Sequence, residues 1–283
     1  MATIVDIHPH VIATDTARYP LNPLGGTQST WSRERPTTYA MLVAAMDEAG
    51  VDKAAIVQAS TAYGYDNTYV AEAVAAHPER FTGVFSVDVL APDVVGKMQH
   101  WMRRGLSGLR LFTTGSTMPG QATWFADPRT YPAWQYVGEA GLPVCMQMTP
   151  QGFPELRKLM RQFPQVRVIL DHLARPQVVD GPPYAADRDF FAFAQDPNVF
   201  LKVTPLNYMP ANWGKATPES FFGKLVAEFG AERMAWGSNF PATAGTLKDN
   251  LAQARKAFGS LSPDDQAWIF GRTAQTLYPS LAD

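Results

Sequence analysis

The sequence lacks the features of a disulfide-bonded, membrane-spanning or secreted protein. It contains a single cysteine, Cys145, so no intrachain disulfide can form, which fits a reducing compartment. No apolar run approaches the roughly 18 residues of a transmembrane helix. The first residues, MATIVDIHPH, lack the basic start and apolar stretch of a signal peptide. We therefore expect a cytoplasmic protein with no membrane partner.

The charge balance is also without an excess of either sign. Lysine and arginine number 24 and aspartate and glutamate 26, giving a net charge of -2. Without an excess of positive charge, the composition does not indicate binding to nucleic acid or to an anionic membrane. Hydrophobic residues make up 46% of the 283 residues, enough for a large core. We expect a small molecule as the partner, and a homo-oligomer stays open. Cys145 lies in an apolar run and is interpreted as a buried hydrophobe.

Short apolar runs alternate with amphipathic stretches along the chain. Eight of these runs are typical of buried parallel strands. They are Ile4–Asp6, Ala54–Ala59, Phe81–Val87, Gly108–Leu111, Pro143–Met148, Val166–Asp171, Val199–Val203 and Met234–Gly237. The alternation predicts an α/β fold, a single (β/α)8 TIM-barrel domain over residues 1–283. A doubly wound sheet is disfavoured, because strand 1 leads into DIHPH and not into a glycine-rich phosphate turn.

Polar side chains stand at several predicted strand ends, where barrels place their catalytic residues. His8 and His10 follow strand 1 and are two residues apart, so in extended backbone their imidazoles point the same way. His172 follows strand 6 and Asn239 follows strand 8. We expect these four residues to form the catalytic group at the mouth of the barrel.

The sequence also suggests residues that bind substrate. Arg110 lies in strand 4, and its guanidinium fork suits a planar anion. Tyr65 follows strand 2, and Tyr208 follows strand 7. Trp31 belongs to the long irregular segment 13–35, which we expect to lie over the mouth as a lid. We expect all four side chains to contact substrate.

The order of these motifs resembles that of a known family. HPH after strand 1, LDH in strand 6 and WGSNFP after strand 8 resemble the amidohydrolase-related family of the amidohydrolase superfamily. AGVDKAAIVQAS and HPERFTGVFSV extend the resemblance to nearly the whole chain. Within that family, the chain is most similar to the branch of 2-pyrone-4,6-dicarboxylate lactonase and sulfomuconolactone hydrolase. The resemblance implies a hydrolase that opens a small anionic lactone, in the catabolism of aromatic or related compounds.

The chain departs from the family pattern at two places. The family has an aspartate at the end of strand 8, where it serves as base or metal ligand, and this chain has Asn239. An amide cannot accept a proton at neutral pH and is a poor ligand for a divalent cation. Metal-binding members often offer a histidine near the end of strand 5, where this chain has MQM at 146–148. A two-metal site is therefore disfavoured.

A single metal ion stays open, with zinc as the first choice. His8, His10 and His172 could hold it and leave a position for water, as catalytic zinc sites do. Without a metal, the same imidazoles would polarise a carbonyl directly, and another group would activate water. The carboxylates near strand ends are Asp6, Asp88 and Asp171. The cofactor is thus predicted as none or one divalent ion.

Two other functions remain open. A nonoxidative decarboxylase or hydratase of an aromatic or unsaturated acid would share the fold and the histidines. Asn239 counts against it, because the resembling decarboxylases use the strand-8 aspartate as a metal ligand. A catalytically inactive ligand-binding barrel would fit the loss of that carboxylate, but retention of the three histidines counts against it.

Overall fold

The fold is a closed ring of parallel strands, seen in a computed structural model that describes residues 2–210 and 212–282. Within those ranges, eight strands lie side by side in sequence order, and each consecutive pair is parallel. They are β1 Val5–Asp6, β2 Lys53–Val57, β3 Phe81–Phe85, β4 Leu106–Phe112, β5 Val144–Gln147, β6 Val168–Asp171, β7 Val199–Val203 and β8 Met234–Trp236. The Ile7 N–H donates to Trp236 O at 3.2 Å and joins the first strand to the last. The predicted (β/α)8 barrel is confirmed.

Helices connect the strands and surround the barrel. They are α1 Thr30–Glu34, α2 Tyr39–Ala49, α3 Ser60–Tyr63, α4 Thr68–Ala76, α5 Val94–Met102, α6 Tyr131–Ala140, α7 Phe153–Gln162, α8 Arg188–Phe191, α9 Pro205–Tyr208, α10 Pro218–Phe229, α11 Leu247–Ala257, α12 Pro263–Ala267 and α13 Thr273–Leu277. A π-helical stretch, Trp268–Arg272, joins α12 to α13. Across the described part of the chain, no helix has the length and apolar character needed to span a membrane.

Helix α11 carries a sequence signal at each end. It ends at Ala257, two residues before Gly259, and glycine is common just after helix ends. At its beginning, the Thr246 side chain accepts from Asp249 N–H and its hydroxyl donates to the Asp249 carboxylate. This cap satisfies backbone donors at the helix start.

The interior of the barrel changes character along its axis. Cys145 in β5 is in register with Ile169 in β6, and Ile169 with Phe200 in β7, which forms an apolar layer. Two residues nearer the carboxyl ends, Asp171 is in register with Lys202. Side chains two apart on a strand share a face, so the buried charges lie directly above the apolar layer.

The amino-terminal end of the barrel is filled by the end of the chain. Leu277 and Tyr278 pack with the apolar inward residues of the strands and are fully buried. Tyr278 enters the ring of strands, since a Cβ added at Gly108 in β4 would lie 2.9 Å from its aromatic ring. This end, which we call the floor, is closed by packing. The carboxyl end, the mouth, is left to carry the site.

The segment 13–35 lies at the mouth against the turn that follows β2. Asn22 N–H donates to Ala62 O at 2.8 Å, and Leu24 N–H donates to Ser60 O at 2.9 Å. The Tyr63 hydroxyl accepts from Ala13 N–H at 2.8 Å. These bonds hold α1 and its Trp31 over the barrel.

Candidate active site

A pocket of about 300 Å³ opens at the mouth of the barrel. His10, His172, Arg110, Trp31 and Asn239 line it, so the structure brings together five of the side chains that the sequence singles out. The pocket also has Arg175 in its wall, and its described lining contains two arginines and no carboxylate. The pocket is therefore positively charged and suits an anionic ligand.

His10 is anchored so that one ring nitrogen faces the pocket. Its Nδ1 lies 2.8 Å from Val57 O, and because a carbonyl only accepts, Nδ1 carries the proton. Nε2 therefore keeps its lone pair. The ring of Trp31 stacks on the imidazole at 5.1 Å between centroids. Burial, reinforced by the Arg110 cation, lowers the pKa of His10 to about 3, so the imidazole is neutral near pH 7.

His172 is held by the strand next to its own. Its Nδ1 lies 2.7 Å from the Thr204 hydroxyl, which follows β7. Burial, together with Arg110 and Lys202, outweighs the Asp171 carboxylate and lowers the pKa of His172 to about 3. A second neutral imidazole thus lines the pocket.

His172 also begins a turn with unusual backbone geometry. The four residues 172–175 have φ values of 54, 56, 55 and 60 degrees, in the left-handed region. For residues with a Cβ, this region costs roughly 1–2 kcal/mol each. Asn207 offsets that cost, since its Nδ2 donates to His172 O at 2.9 Å while its Oδ1 accepts from Thr204 N–H at 3.0 Å. The turn ends with Arg175 at the pocket wall.

His8 lies beneath the two pocket histidines. Its ring contacts His10 at 4.9 Å and His172 at 4.8 Å between centroids, both edge-on. It is fully buried, and neither ring nitrogen has a hydrogen-bond partner among the residues described. Burial, followed by the Lys202 cation, lowers the pKa of His8. In this arrangement His8 supports the other two imidazoles from below and does not line the pocket.

A buried charge cluster lies beside the histidines. Arg110 Nε donates to Asp171 Oδ2 at 2.9 Å, and Lys202 Nζ lies 2.8 Å from Asp171 Oδ1. Arg110 also donates to Gln147 Oε1. Burial alone would raise the pKa of Asp171, but Lys202 and Arg110 hold it well below its ordinary value. Asp171 is therefore a fixed anion engaged by two cations, and it is not placed as the base that activates water.

The other carboxylates near strand ends have local partners. Asp6 Oδ1 accepts from His8 N–H at 2.9 Å and from Ser238 N–H at 2.8 Å, which ties the end of β1 to the end of β8. Burial raises the pKa of Asp6 to about 6. Asp88 accepts from Leu90 N–H in the turn after β3. Neither carboxylate lines the pocket.

Two tyrosines of the predicted substrate-binding set lie away from the pocket lining. Tyr208 is buried behind β8, where its hydroxyl donates to Asn250 O at 3.4 Å and accepts from Trp236 Nε1 at 3.3 Å. Tyr65 is partly exposed on the turn after α3. Asn239 does line the pocket, with a left-handed φ of 54 degrees, and its Nδ2 donates to Thr243 Oγ1 at 3.0 Å. Asparagine adopts this left-handed backbone conformation more readily than aliphatic residues do.

A family model described as amidohydrolase matches residues 5–280 of the chain. The chain belongs to this amidohydrolase family. An L-fucono-1,5-lactonase of Burkholderia ambifaria is 30% identical over 168 residues, which cover 55% of the chain and 56% of the lactonase. An uncharacterised protein of Sinorhizobium fredii is 28% identical over 163 residues, 54% of each chain. The chain thus spans about half the length of the curated relatives it matches.

Solved structures of similar fold cover the entire barrel of this amidohydrolase. A protein of Pseudomonas putida assigned as a 2-pyrone-4,6-dicarboxylic acid hydrolase has a TM-score of 0.80 at 20% identity, over 100% of both chains. An amidohydrolase of Burkholderia multivorans with bound zinc has a TM-score of 0.77 at 19% identity, over 98% of this chain and 99% of that one. At such identities the likeness establishes the fold.

The three imidazoles of this amidohydrolase share some features with metal-binding histidines. Neutral imidazole is a common metal ligand, and His10 and His172 are held through Nδ1, as metal-binding histidines often are. However, residues 2–210 and 212–282 contain no group of three or more His, Cys, Asp or Glu side chains arranged to hold a metal ion. The Arg110 and Lys202 cations, which depress the pKa of His8, would also repel a dication. The described residues as arranged therefore do not fit a metal ion.

Sequence reasoning overlooked several pocket residues. Arg175, Ser60 and Thr61 line the pocket, as does Gln147, which the sequence placed only at the end of strand 5. Each of them stands at or just after the carboxyl end of a strand. Position in the barrel was the available signal, because side chains at those ends converge on the mouth.

Proposed function

We propose that this amidohydrolase opens a small anionic lactone by adding water to its carbonyl carbon. The observation that carries the proposal is the pocket itself, in which two neutral imidazoles and two arginines face one space of about 300 Å³. Its relatives support the reaction class, since one is a lactonase and a structural neighbour is assigned as a hydrolase of a pyrone, which is a cyclic ester.

His10 is the proton acceptor in this proposal. Its Nε2 has a free lone pair because Nδ1 donates to Val57 O. Water adds to the carbonyl carbon and gives its proton to Nε2, the ring carbon–oxygen bond breaks, and the leaving oxygen takes the proton back. The products are a hydroxyl and a carboxylic acid on one open chain, and the acid then releases its proton to solvent and becomes a carboxylate. A bound anion beside His10 would raise its pKa from about 3 and make it a stronger base.

Arg110 stabilises the oxygen that becomes negative in the transition state. Its Nε donates to Asp171, which fixes the guanidinium plane and leaves other N–H groups for the pocket. Fixed donors aimed at a developing oxyanion lower the barrier without reorganising during the reaction. His172 and Asn239 also line the pocket and orient the lactone and the attacking water.

The proposal is tested by replacing His10 with asparagine. A panel of five- and six-membered lactones, hydroxylated and carboxylated, is followed at pH 7 with a pH indicator. We expect the natural enzyme to open at least one of them and His10→Asn to lose about 10²- to 10⁴-fold in kcat/KM, the usual contribution of a positioned base. His100→Asn is the matched control, because His100 lies exposed on α5 and does not line the pocket.

A chelator completes the experiment. Since the described residues do not form a metal site, dialysis against a strong chelator should leave kcat/KM unchanged. If chelation abolishes activity and zinc restores it, water is activated by a metal and the role given to His10 is wrong. If no lactone is opened, or His10→Asn keeps full activity, the proposed function itself is contradicted.

A further inference from the structure

We propose that Arg175 is the residue that selects a carboxylate-bearing lactone, by binding the substrate carboxylate at the pocket wall. The inference deepens the proposed function and rests on it. It replaces the expectation that Arg110 anchors the substrate anion, and it adds a binding residue that the strand-end pattern did not reveal.

The two pocket arginines differ in how far the protein itself satisfies them. Arg110 is 4% exposed and donates to Asp171 and Gln147, so its guanidinium is held by partners within the barrel. Arg175 is exposed, and the described residues include no ion-pair partner for it. An unpaired guanidinium in a pocket wall without carboxylates is available to a ligand, and its planar fork matches a carboxylate.

The local electrostatics favour an anion at this position. In the buried cluster, Lys202 and Arg110 share a single carboxylate, Asp171, so the cluster keeps one positive charge. The histidines of the pocket are neutral, so they do not cancel it. Arg175 adds a second positive charge that is close enough to His172 to lower its pKa further. A ligand carboxylate would therefore enter an attractive field from two sides.

The backbone is built to hold Arg175 where it is. Its φ is 60 degrees, the last of four consecutive left-handed residues. Arg175 N–H donates to His172 O, which also accepts from Asn207 Nδ2. Unfavourable backbone held by several hydrogen bonds is typical of functional sites, where it fixes a side chain in place. The same turn carries His172, so the anion site and an imidazole of the pocket have a fixed spacing.

The test separates binding of the anion from hydrolysis. Glutarate, a dicarboxylate that cannot be hydrolysed, is titrated into the protein by calorimetry. A lactone that bears a ring carboxylate and its carboxamide are then compared as substrates. In Arg175→Gln we expect the Kd for glutarate to rise by about tenfold or more, as loss of a charged hydrogen bond implies. The ratio of kcat/KM for the carboxylate lactone to that for its carboxamide should fall by a similar factor. Arg188→Gln is the control, since Arg188 is exposed on α8 away from the pocket.

A second variant excludes a backbone explanation. Arg175→Gly removes the guanidinium, and glycine adopts a φ of 60 degrees without cost. It should lose glutarate binding to the same extent as Arg175→Gln, and retained binding in either variant would overturn the inference. Lactones opened with no dependence of the carboxylate preference on Arg175 would also overturn it, while leaving the proposed function intact. Glutarate binding that depends on Arg175 without hydrolysis of any lactone would support the anion site and contradict the proposed function.

Discussion

At the floor of the barrel, Leu277 and Tyr278 fill the space between strands with apolar contacts, whereas at the mouth the same strands carry buried imidazoles and a charge cluster. The contrast extends to hydrogen bonding. At the floor, the Tyr278 hydroxyl lies 3.5 Å from Cys145 Sγ. At the mouth, both ring nitrogens of His8 lack a partner among the described residues. One end of the interior is thus filled by apolar packing, and the other retains buried polar atoms that have no hydrogen-bond partner among the described residues.

The backbone shows the same difference. The turn 172–175 at the mouth is left-handed throughout, and Asn239 at the end of β8 is left-handed as well. At the floor, α13 ends at Leu277, and none of its residues has a left-handed φ. Natural proteins tolerate local backbone strain where it positions a functional group. The strained residues of the mouth are therefore explained by function and not by stability.

The largest effect on stability is expected when the buried anion of the mouth, Asp171, is neutralised. Asp171→Asn leaves the Arg110 and Lys202 cations buried without a charge partner. We expect the free energy of unfolding to fall by about 3–5 kcal/mol, because an uncompensated buried charge is costly. Urea unfolding measures it, with the exposed Asp189→Asn as control. A loss under about 1 kcal/mol would show that the cluster is not what holds the mouth together.

The floor is tested by making a cavity in it. Leu277→Ala removes a buried side chain from the floor, and we expect the free energy of unfolding to fall by about 2–5 kcal/mol. Because the floor does not touch the pocket, kcat/KM per folded molecule should not change. Leu21→Ala, at an exposed position, is the control. A fall in activity of the folded variant would mean that the two ends are coupled.

A dependence of stability on pH also arises at the mouth. Burial lowers the pKa of His10 and of His172 from 6.5 to about 3, and it lowers that of His8 as well. Below pH 6.5 the unfolded chain therefore binds more protons than the folded protein. The free energy of unfolding should fall as the pH falls, by about 1.4 kcal/mol per pH unit for each imidazole. Asp6, with a pKa raised to about 6, opposes this as a single group.

Urea midpoints at pH 7 and pH 5.5 measure this dependence. Leu277→Ala should keep the slope of the natural protein, while His10→Asn should show a shallower one, because one buried imidazole is gone. Equal stability at both pH values would show that the histidines are not held neutral by the fold.

Which site residues the sequence revealed depended on how locally each position is determined. His10 and His172 were found because they stand at strand ends, and period-two alternation fixes which side chains share a face. Tyr208 stands at a similar position in the sequence, yet it turns away and bonds to Trp236 and Asn250. The sequence predicted that Arg110 contacts substrate, but its pairing with Asp171 and Gln147, 61 and 37 residues away, could not be inferred from local sequence.

The sequence by itself determined the architecture. Eight buried apolar runs separated by amphipathic stretches pair their backbone hydrogen-bonding groups and bury their apolar faces in a parallel barrel. In such a barrel the catalytic residues lie at the carboxyl ends of the strands, so the location of the site is also predicted. Tertiary structure decided what happens at that end. Whether an arginine is paired or free, whether an imidazole faces the pocket or lies beneath it, and whether a carboxylate is a base or a counter-ion depend on contacts between distant strands. These contacts form only when the barrel closes, and so only the structure distinguished Arg175 from Arg110 and His10 from His8.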